Sequence, residues 1–249
     1  MLEKKFKPLT DFFFAQNHRS HSQFNQDLFV IFFTNFIGKI GYFVEIGAGD
    51  GKNLSNTLLL ESLGWKGILV DPVDYVNGNM LKRNCIKDKR CVYSESGLKL
   101  KFKEQSKLYD EAAELNPKGF SGLFDHLSDY SKNLKGGHSY EVITVSLNDL
   151  LDQYSSPNKI DYISIDAEGS EFEILRTFDF AKYDVEIFTV EHNNFASHKE
   201  SINELLLSQN YYCIHHELFK TSLLDWHIVP GYEDWYIKKD NPVLKKLGI

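Results

Sequence analysis

Positive charge is the first thing this chain is short of. It has 28 Lys and Arg against 35 Asp and Glu, for a formal net charge of −7 and a pI near 5.7. A surface of that balance does not attract phosphate backbones, so nucleic acid is not the expected partner. Cysteine is scarce too. Cys85, Cys91 and Cys213 are the only three, and no two have the two-residue gap of a zinc or redox motif. That set excludes a disulfide framework and fits a reducing, cytoplasmic setting. Long apolar runs are missing as well. The longest apolar-leaning stretch, LFVIFFTNFI from Leu28 to Ile37, is too short to span a bilayer and contains Thr34 and Asn35. It reads as a buried helix. The N-terminal MLEKKFKPLTDFFFAQNHRS has no secretory apolar region and no small-residue cleavage site. Internal repeats, low-complexity tracts and Pro-, Gly- or Ser-rich linkers are absent. The 249 residues therefore read as one domain, with a helical segment over 1–40 and an insertion at about 98–140.

What is present is an ordinary core composition, 42% hydrophobic, arranged as an alternation. Short strands are expected at Tyr42–Ile46, Gly67–Val70, Arg90–Tyr93, Tyr162–Ile165, through VEIFTVEHNN, and at Tyr211–His215. Helical spacing occupies Leu54–Leu63, Val76–Arg83, Ser146–Leu151, the residues up to Leu175, and Lys199–Gln209. DWYIKK, Asp234–Lys239, reads as a last, edge strand. Ser146 is placed to cap a helix, with Asp149 three residues on. The polar stretch Lys99–Tyr140 breaks the pattern; it reads as a strand or hairpin near Leu98–Phe102 followed by irregular chain. Strands alternating with helices imply an α/β, doubly wound, mostly parallel sheet, in which ligands bind beyond the C-terminal strand ends. Five such ends carry polar or glycine residues: Glu45–Gly51, Asp71–Asp74, Ser94–Gly97, Asp166–Gly169 and Glu191–Asn194.

The first of these ends, in YFVEIGAGDG, has glycines at 47, 49 and 51. A dinucleotide fingerprint needs its third glycine at position 52, which is Lys. A P-loop needs Ser or Thr after Gly51-Lys52, where Asn53 stands. The remaining pattern, E-x-G-x-G-x-G, brings backbone against a cofactor without a pyrophosphate. Glu45 can face a positive charge, and S-adenosylmethionine carries an ammonium and a sulfonium. Asp71 follows Gly51 by twenty residues, at the end of the next strand, where a carboxylate accepts ribose hydroxyls. The alternative is that Asp71-Pro72 only opens a turn.

FVEIGAGDGKNLSNTLLLESLGWKGILVDP resembles the FkbM family of S-adenosylmethionine-dependent methyltransferases. So do SQFNQDLFV, VSLNDLL, IDYISIDAEGSEFEIL and TVEHN, a resemblance running from about Ser22 to Asp240. It implies a class I methyltransferase fold, a Rossmann-like seven-stranded sheet with an antiparallel last strand. It implies transfer of a methyl group to a hydroxyl, commonly of a sugar or polyketide-type acceptor, with S-adenosylhomocysteine as product. On this pattern Glu45, Gly47, Ala48, Gly49, Asn56, Asp71, Pro72 and Asp166 would hold the cofactor, with Ser94, Glu95 and Ser96 near its adenine. SQFNQDLFV would fold over the cofactor through Gln26 and Asp27; the alternative leaves those two residues exposed on a packed helix.

Methyl transfer from a sulfonium is an in-line displacement, which needs alignment and a group or metal that draws the proton from the acceptor. His192 is the first candidate for general base, because imidazole titrates near neutral pH. Asp166 and Glu191 join it at neighbouring strand ends. The alternative is that His192 binds the loop or the substrate. A second reading places a divalent ion, Mg²⁺ or Mn²⁺, on Asp166, Glu191 and His192 or Asn193. Catechol O-methyltransferase and some antibiotic-sugar O-methyltransferases have acidic metal ligands at the same strand ends, an analogy of fold. Here the alternative is a capping Asp166 and an ion-paired Glu191. Glu168, Asn193 and Asn194 would contact the substrate, expected to be a small carbohydrate such as a nucleotide sugar or glycan precursor. His126 and His138 fall in the insertion, where a substrate lid would lie. His215 and His216 read as structural. The rivals are metal-assisted methylation of another small hydroxyl acceptor and a nucleotide-binding oxidoreductase. Oligomeric state is not legible.

Overall fold

The computed structural model describes residues 2–34, 40–73, 79–105, 121–127, 129–133, 137–193, 195–214 and 232–249. Its main sheet has seven strands: β1 (Tyr42–Ile46), β2 (Lys66–Val70), β3 (Ile86–Asp88), β8 (Lys159–Ile165), β9 (Asp184–Glu191), β10 (Tyr211–Cys213) and β11 (Glu233–Lys238). They lie in the order β10-β11-β9-β8-β1-β2-β3. β3, β2, β1, β8 and β9 are parallel, and β11 runs antiparallel to both its neighbours.

Side chains alternate across these strands, so the sheet has two apolar faces. Val44, Ile46, Ile163, Ile165, Phe188, Val190 and Tyr236 pack against α6 (Leu147–Gln153), α7 (Glu171–Leu175) and α8 (Ala196–Ser208). Phe43, Leu69, Tyr162, Ile187, Trp235 and Ile237 pack against α1 (Leu2–Gln16), α2 (Gln26–Thr34), α3 (Leu58–Ser62) and α9 (Pro242–Leu247); α4 (Asn79–Lys82) and α5 (Asp129–Asn133) are short helices between α3 and α6. Among the described residues no helix is long and apolar enough to cross a membrane.

Several sequence expectations need correction. DWYIKK is internal, not an edge strand: β11 lies between β9 and β10, and Trp235, Tyr236 and Ile237 are fully buried. Its charged residues suggested an edge, but Asp234 is itself buried among partners. The third strand of the main sheet is Ile86–Asp88, a segment too short and polar to read as one. Cys91–Tyr93 (β4) instead joins a second sheet, β4-β7-β5-β6, with β5 (Lys99–Glu104), β6 (Gly122–Leu123) and β7 (His138–Ser146). The segment at about 98–140 thus contributes strands to a second sheet shared with β4 and the end of β7. The helix expected from Leu54 begins at Leu58, because Leu54 has φ +56° and the next residues bond to Glu45. Gln26 and Asp27 are 2% and 0% exposed, not on the surface. Asp27 accepts from Ser20 Oγ at 2.6 Å, His21 N at 2.9 Å and Leu28 N at 2.8 Å, knotting the chain that enters α2. Ser146 does cap α6, accepting from Asp149 N at 3.1 Å. Residues 76–78, His215 and His216 lie outside the described residues.

Candidate functional site

The glycine loop leaves β1 and turns over the end of β2. Gly47, Gly49 and Gly51 have φ of +78°, +57° and +75°, the left-handed region that glycine enters without steric cost. The N–H groups of Gly47 and Ala48 donate to Val70 O at 2.9 and 3.2 Å. Gly47 also lies directly against β8: a Cβ there would overlap the carbonyl of Asp166. The loop is therefore clamped between two neighbouring strand ends.

Asp71, 6% exposed, reaches back under this loop. Its Oδ2 accepts from Gly49 N and its Oδ1 from Val73 N, both at 2.8 Å. Burial pushes its carboxyl up to about 7, with Asp166 and Glu104 adding to the rise and the two amides opposing it. Glu45 has a different setting from the one expected. It is 3% exposed and accepts from Ser55 Oγ at 3.0 Å, Asn56 N at 2.6 Å and Thr57 Oγ1 at 2.5 Å. Arg83 donates to Ser55 Oγ, Thr57 Oγ1 and Gly51 O at 3.1, 3.0 and 2.6 Å. Glu45 thus fastens the segment after the loop from beneath. Asn56 donates to Ser164 Oγ at 2.9 Å, and its Oδ1 is buried with no hydrogen-bond partner. Half-buried Pro72 follows Asp71. Ser94, Glu95 and Ser96 follow β4 of the second sheet. Glu95 O accepts from Thr144 Oγ1 at 2.6 Å, and Ser96 Oγ bonds to Ser146 N at 2.8 Å and to Asp149. Those bonds run to β7 and α6.

The ends of β8 and β9 bring carboxylates together. Asp166, Glu168 and Glu191 each place an oxygen within 4.8 Å of the other two. Asp166 is exposed and the other two are half-buried, although protein crowds all three. Glu171, fully buried, accepts from Ala167 N at 2.9 Å and Gly169 N at 3.0 Å and so anchors the Asp166–Gly169 turn. Burial, then the charges of Asp166 and Glu171, push Glu168 well above the usual carboxylate range, against a hydrogen bond from Asn193. Glu191 rises likewise through burial and the charges of Asp166 and Glu168. Asp166 is raised by burial, offset by a hydrogen bond with Glu191.

Glu233 is a residue that sequence reasoning missed. It stands opposite Glu191 in the β9–β11 register and is 9% exposed. Its carboxylate accepts from Trp235 Nε1 and is hydrogen-bonded to Gln26, and burial pushes it up to about 7. Only the insertion of β11 beside β9, a long-range pairing, could have found it. Through this bond the first residue of α2 reaches the carboxylate wall.

His192 does not join the cluster. It is 1% exposed, and its Nε2 lies 3.4 Å from Asp234 Oδ2, which Lys199 Nζ approaches at 3.6 Å. Asp234 pairs with Val190, on the face of the sheet opposite to Glu191. Asn193 does reach the cluster, donating to Glu191 and Glu168; Asn194 lies outside the described residues. In the insertion, His126 bonds to Tyr93 OH at 2.9 Å, and its backbone packs on Gly169.

No curated protein sequence matches the chain. The family model of the methyltransferase FkbM domain matches residues 45–213, well over half of the chain. That span takes in the glycine loop, Asp71 and the carboxylate tips of β8 and β9, and the chain belongs to the FkbM methyltransferase family.

Proposed function

We propose that this protein is a class I methyltransferase that transfers the methyl group of S-adenosylmethionine to a hydroxyl of a small carbohydrate. The observation that carries the reading is the clamped glycine loop with Asp71 beneath it, one strand away from the convergent carboxylates. The fit to the cofactor rests on three features: a loop whose clamped glycine has no room for a side chain, a buried carboxylate beneath that loop that would accept the ribose hydroxyls, and acidic walls suited to a cation. Gly47, Ala48, Gly49, Asn56, Asp71 and Asp166 would hold it, with Glu45 supporting the loop and Pro72 and Ser94–Ser96 towards the adenine. Bound there, S-adenosylmethionine supplies a methyl carbon activated by its sulfonium.

The chain's own residues then have two tasks. The walls hold the acceptor oxygen in line, which is worth ~7–11 kcal/mol in ideal intramolecular cases. A carboxylate within reach of the acceptor hydroxyl takes the proton. Glu191, beside Asp166, fills that role. His192, on the opposite face, holds the tips of β9 and β11 through Asp234. Glu168 and Asn193 would contact the acceptor, and Asn194 is assigned to the same role from the sequence alone. The carbohydrate class, as nucleotide sugar or glycan precursor, follows from the family resemblance. The three free thiols suit a cytoplasmic setting.

Thermal-shift measurement tests the cofactor: S-adenosylhomocysteine stabilises the protein and NAD does not, and the reverse result rejects the reading. A panel of nucleotide sugars and methyl glycosides tests the acceptor. Glu191→Gln should abolish turnover while S-adenosylhomocysteine still binds. His192→Ala should bind the product and keep measurable turnover; if it is folded, binds and is inactive, His192 is restored as the base.

A second reading has its own observation. Three carboxylates within 4.8 Å of one another are a donor set for a hard divalent cation such as Mg²⁺ or Mn²⁺. Its three protein ligands would be Asp166, Glu168 and Glu191, with Glu168 in the place first given to His192. Activity lost in chelator and restored by Mg²⁺ or Mn²⁺ supports it, and full activity in chelator excludes it.

A further inference from the structure

Two residues at these strand tips hold backbone angles that L side chains rarely adopt: Glu168 with φ +56° and Asn193 with φ +50°. Such conformations persist where the surroundings over-determine them. Around Glu168 they do. Ala167 N and Gly169 N donate to Glu171, and a Cβ on Gly122 of β6 would come within 3.0 Å of the Cβ of Glu168. Asn193 meets the constraint differently, because Asn is one of the few side chains that visit the left-handed region. Its Nδ2 donates to Glu191 Oε2 at 3.1 Å and to Glu168 Oε2 at 3.4 Å.

One neutral amide thus spans two carboxyl groups that belong to different strand ends. Asp166 and Glu171 lie close to the pair and add like charge. Two side chains that repel each other need a donor between them to face one point. We propose that Asn193 is a positioning residue, whose side-chain amide bridges Glu168 and Glu191 and fixes the geometry in which Glu191 receives the acceptor's proton. The inference rests on the reading of Glu191 as proton acceptor.

The bridge has a spectroscopic signature that needs no acceptor. In ¹⁵N-labelled full-length protein, the side-chain NH₂ resonances of Asn193 are assigned by their loss in Asn193→Gly. Glu168→Gln and Glu191→Gln should each shift that pair; resonances unmoved by both substitutions overturn the bridge. Catalytic consequences are read with an acceptor from the panel above. Asn193→Gly keeps access to the left-handed backbone and removes the amide, and Asn193→Asp keeps the shape and adds a charge. Both should lower kcat at least tenfold while KM for S-adenosylmethionine and affinity for S-adenosylhomocysteine stay within twofold. A kcat unchanged in Asn193→Gly overturns the positioning role. Full turnover in Glu191→Gln would instead remove the proton-acceptor reading, and the resonance shifts would still decide the bridge.

Discussion

Substituting Gly47 by Ala tests the clamp that holds the glycine loop against β8. Two costs add. The first is the left-handed φ of +78°, which costs an L residue about 1–2 kcal/mol. The second is overlap. The new Cβ would lie 2.9 Å from the carbonyl carbon of Asp166 and nearer still to its oxygen. That carbonyl cannot swing aside freely, because Asp166 N is held by Ile46 O at 3.1 Å, so β8 must part from β1 at its tip. Overpacking of this kind costs typically ~1–3 kcal/mol or more, for a total on the order of 4 kcal/mol. Gly64→Ala is the control. Its φ is +92°, yet nothing lies within 4 Å of its Cβ, so it carries the backbone cost alone. At about 2–4 °C per kcal/mol for a domain of this size, Gly47→Ala should melt roughly 8–16 °C below the parent and Gly64→Ala about 2–8 °C below it. Scanning calorimetry reads both. Gly47→Ala should also lose S-adenosylhomocysteine stabilisation, which Gly64→Ala retains. Equal melting shifts for the two variants would refute the close approach of loop and strand.

Asp71→Asn keeps one acceptor oxygen and turns an NH₂ group towards the other backbone amide. Losing a charged hydrogen bond costs roughly 1.5–3 kcal/mol, so affinity for S-adenosylhomocysteine by calorimetry should fall about tenfold or more. Stability should fall with rising pH. Asp71, Glu171 and Glu233 hold carboxyls pushed up to about 7 in the folded state, against about 3.9–4.3 unfolded. Between those values the native state binds more protons, so the slope of unfolding free energy with pH is negative and levels off above about 7. Melting should therefore be higher at pH 5.5 than at pH 8, and Glu233→Gln should narrow that gap; an unchanged gap would contradict the burial of Glu233.

Local order was legible where periodicity and turn chemistry agree. Tyr42–Ile46 is a short apolar run that ends in a glycine loop, and Ser146 precedes an apolar run with Asp149 in place, so both read from a few neighbouring residues. Failures follow competition or distance. Leu54–Thr57 has helical spacing, but Glu45 claims Ser55, Asn56 and Thr57, and a buried carboxylate outweighs a few residues of weak propensity. Ile86–Asp88 is too short to show a period, and β11 is internal because of a pairing made more than forty residues from β9. Glu233 and the burial of Gln26 share that cause, since each depends on a neighbour that only the folded sheet supplies.

The same alternation that builds the sheet divides the chemistry of VEHNN. Glu191 and His192 are adjacent in sequence, but successive side chains on an extended strand point to opposite faces. Glu191 shares its face with Thr189 and looks towards Asp166, whereas His192 follows Val190 to the side of Asp234 and Lys199. A base and its neighbouring acid at one strand tip therefore cannot both line the same cleft unless the strand bends between them. Here the bend comes one residue later, at Asn193, where φ turns positive and the side chain returns to the carboxylates. Asn193, two residues beyond Glu191, is thus the residue of this tip that stands with Glu191, and the imidazole between them is left to brace β11.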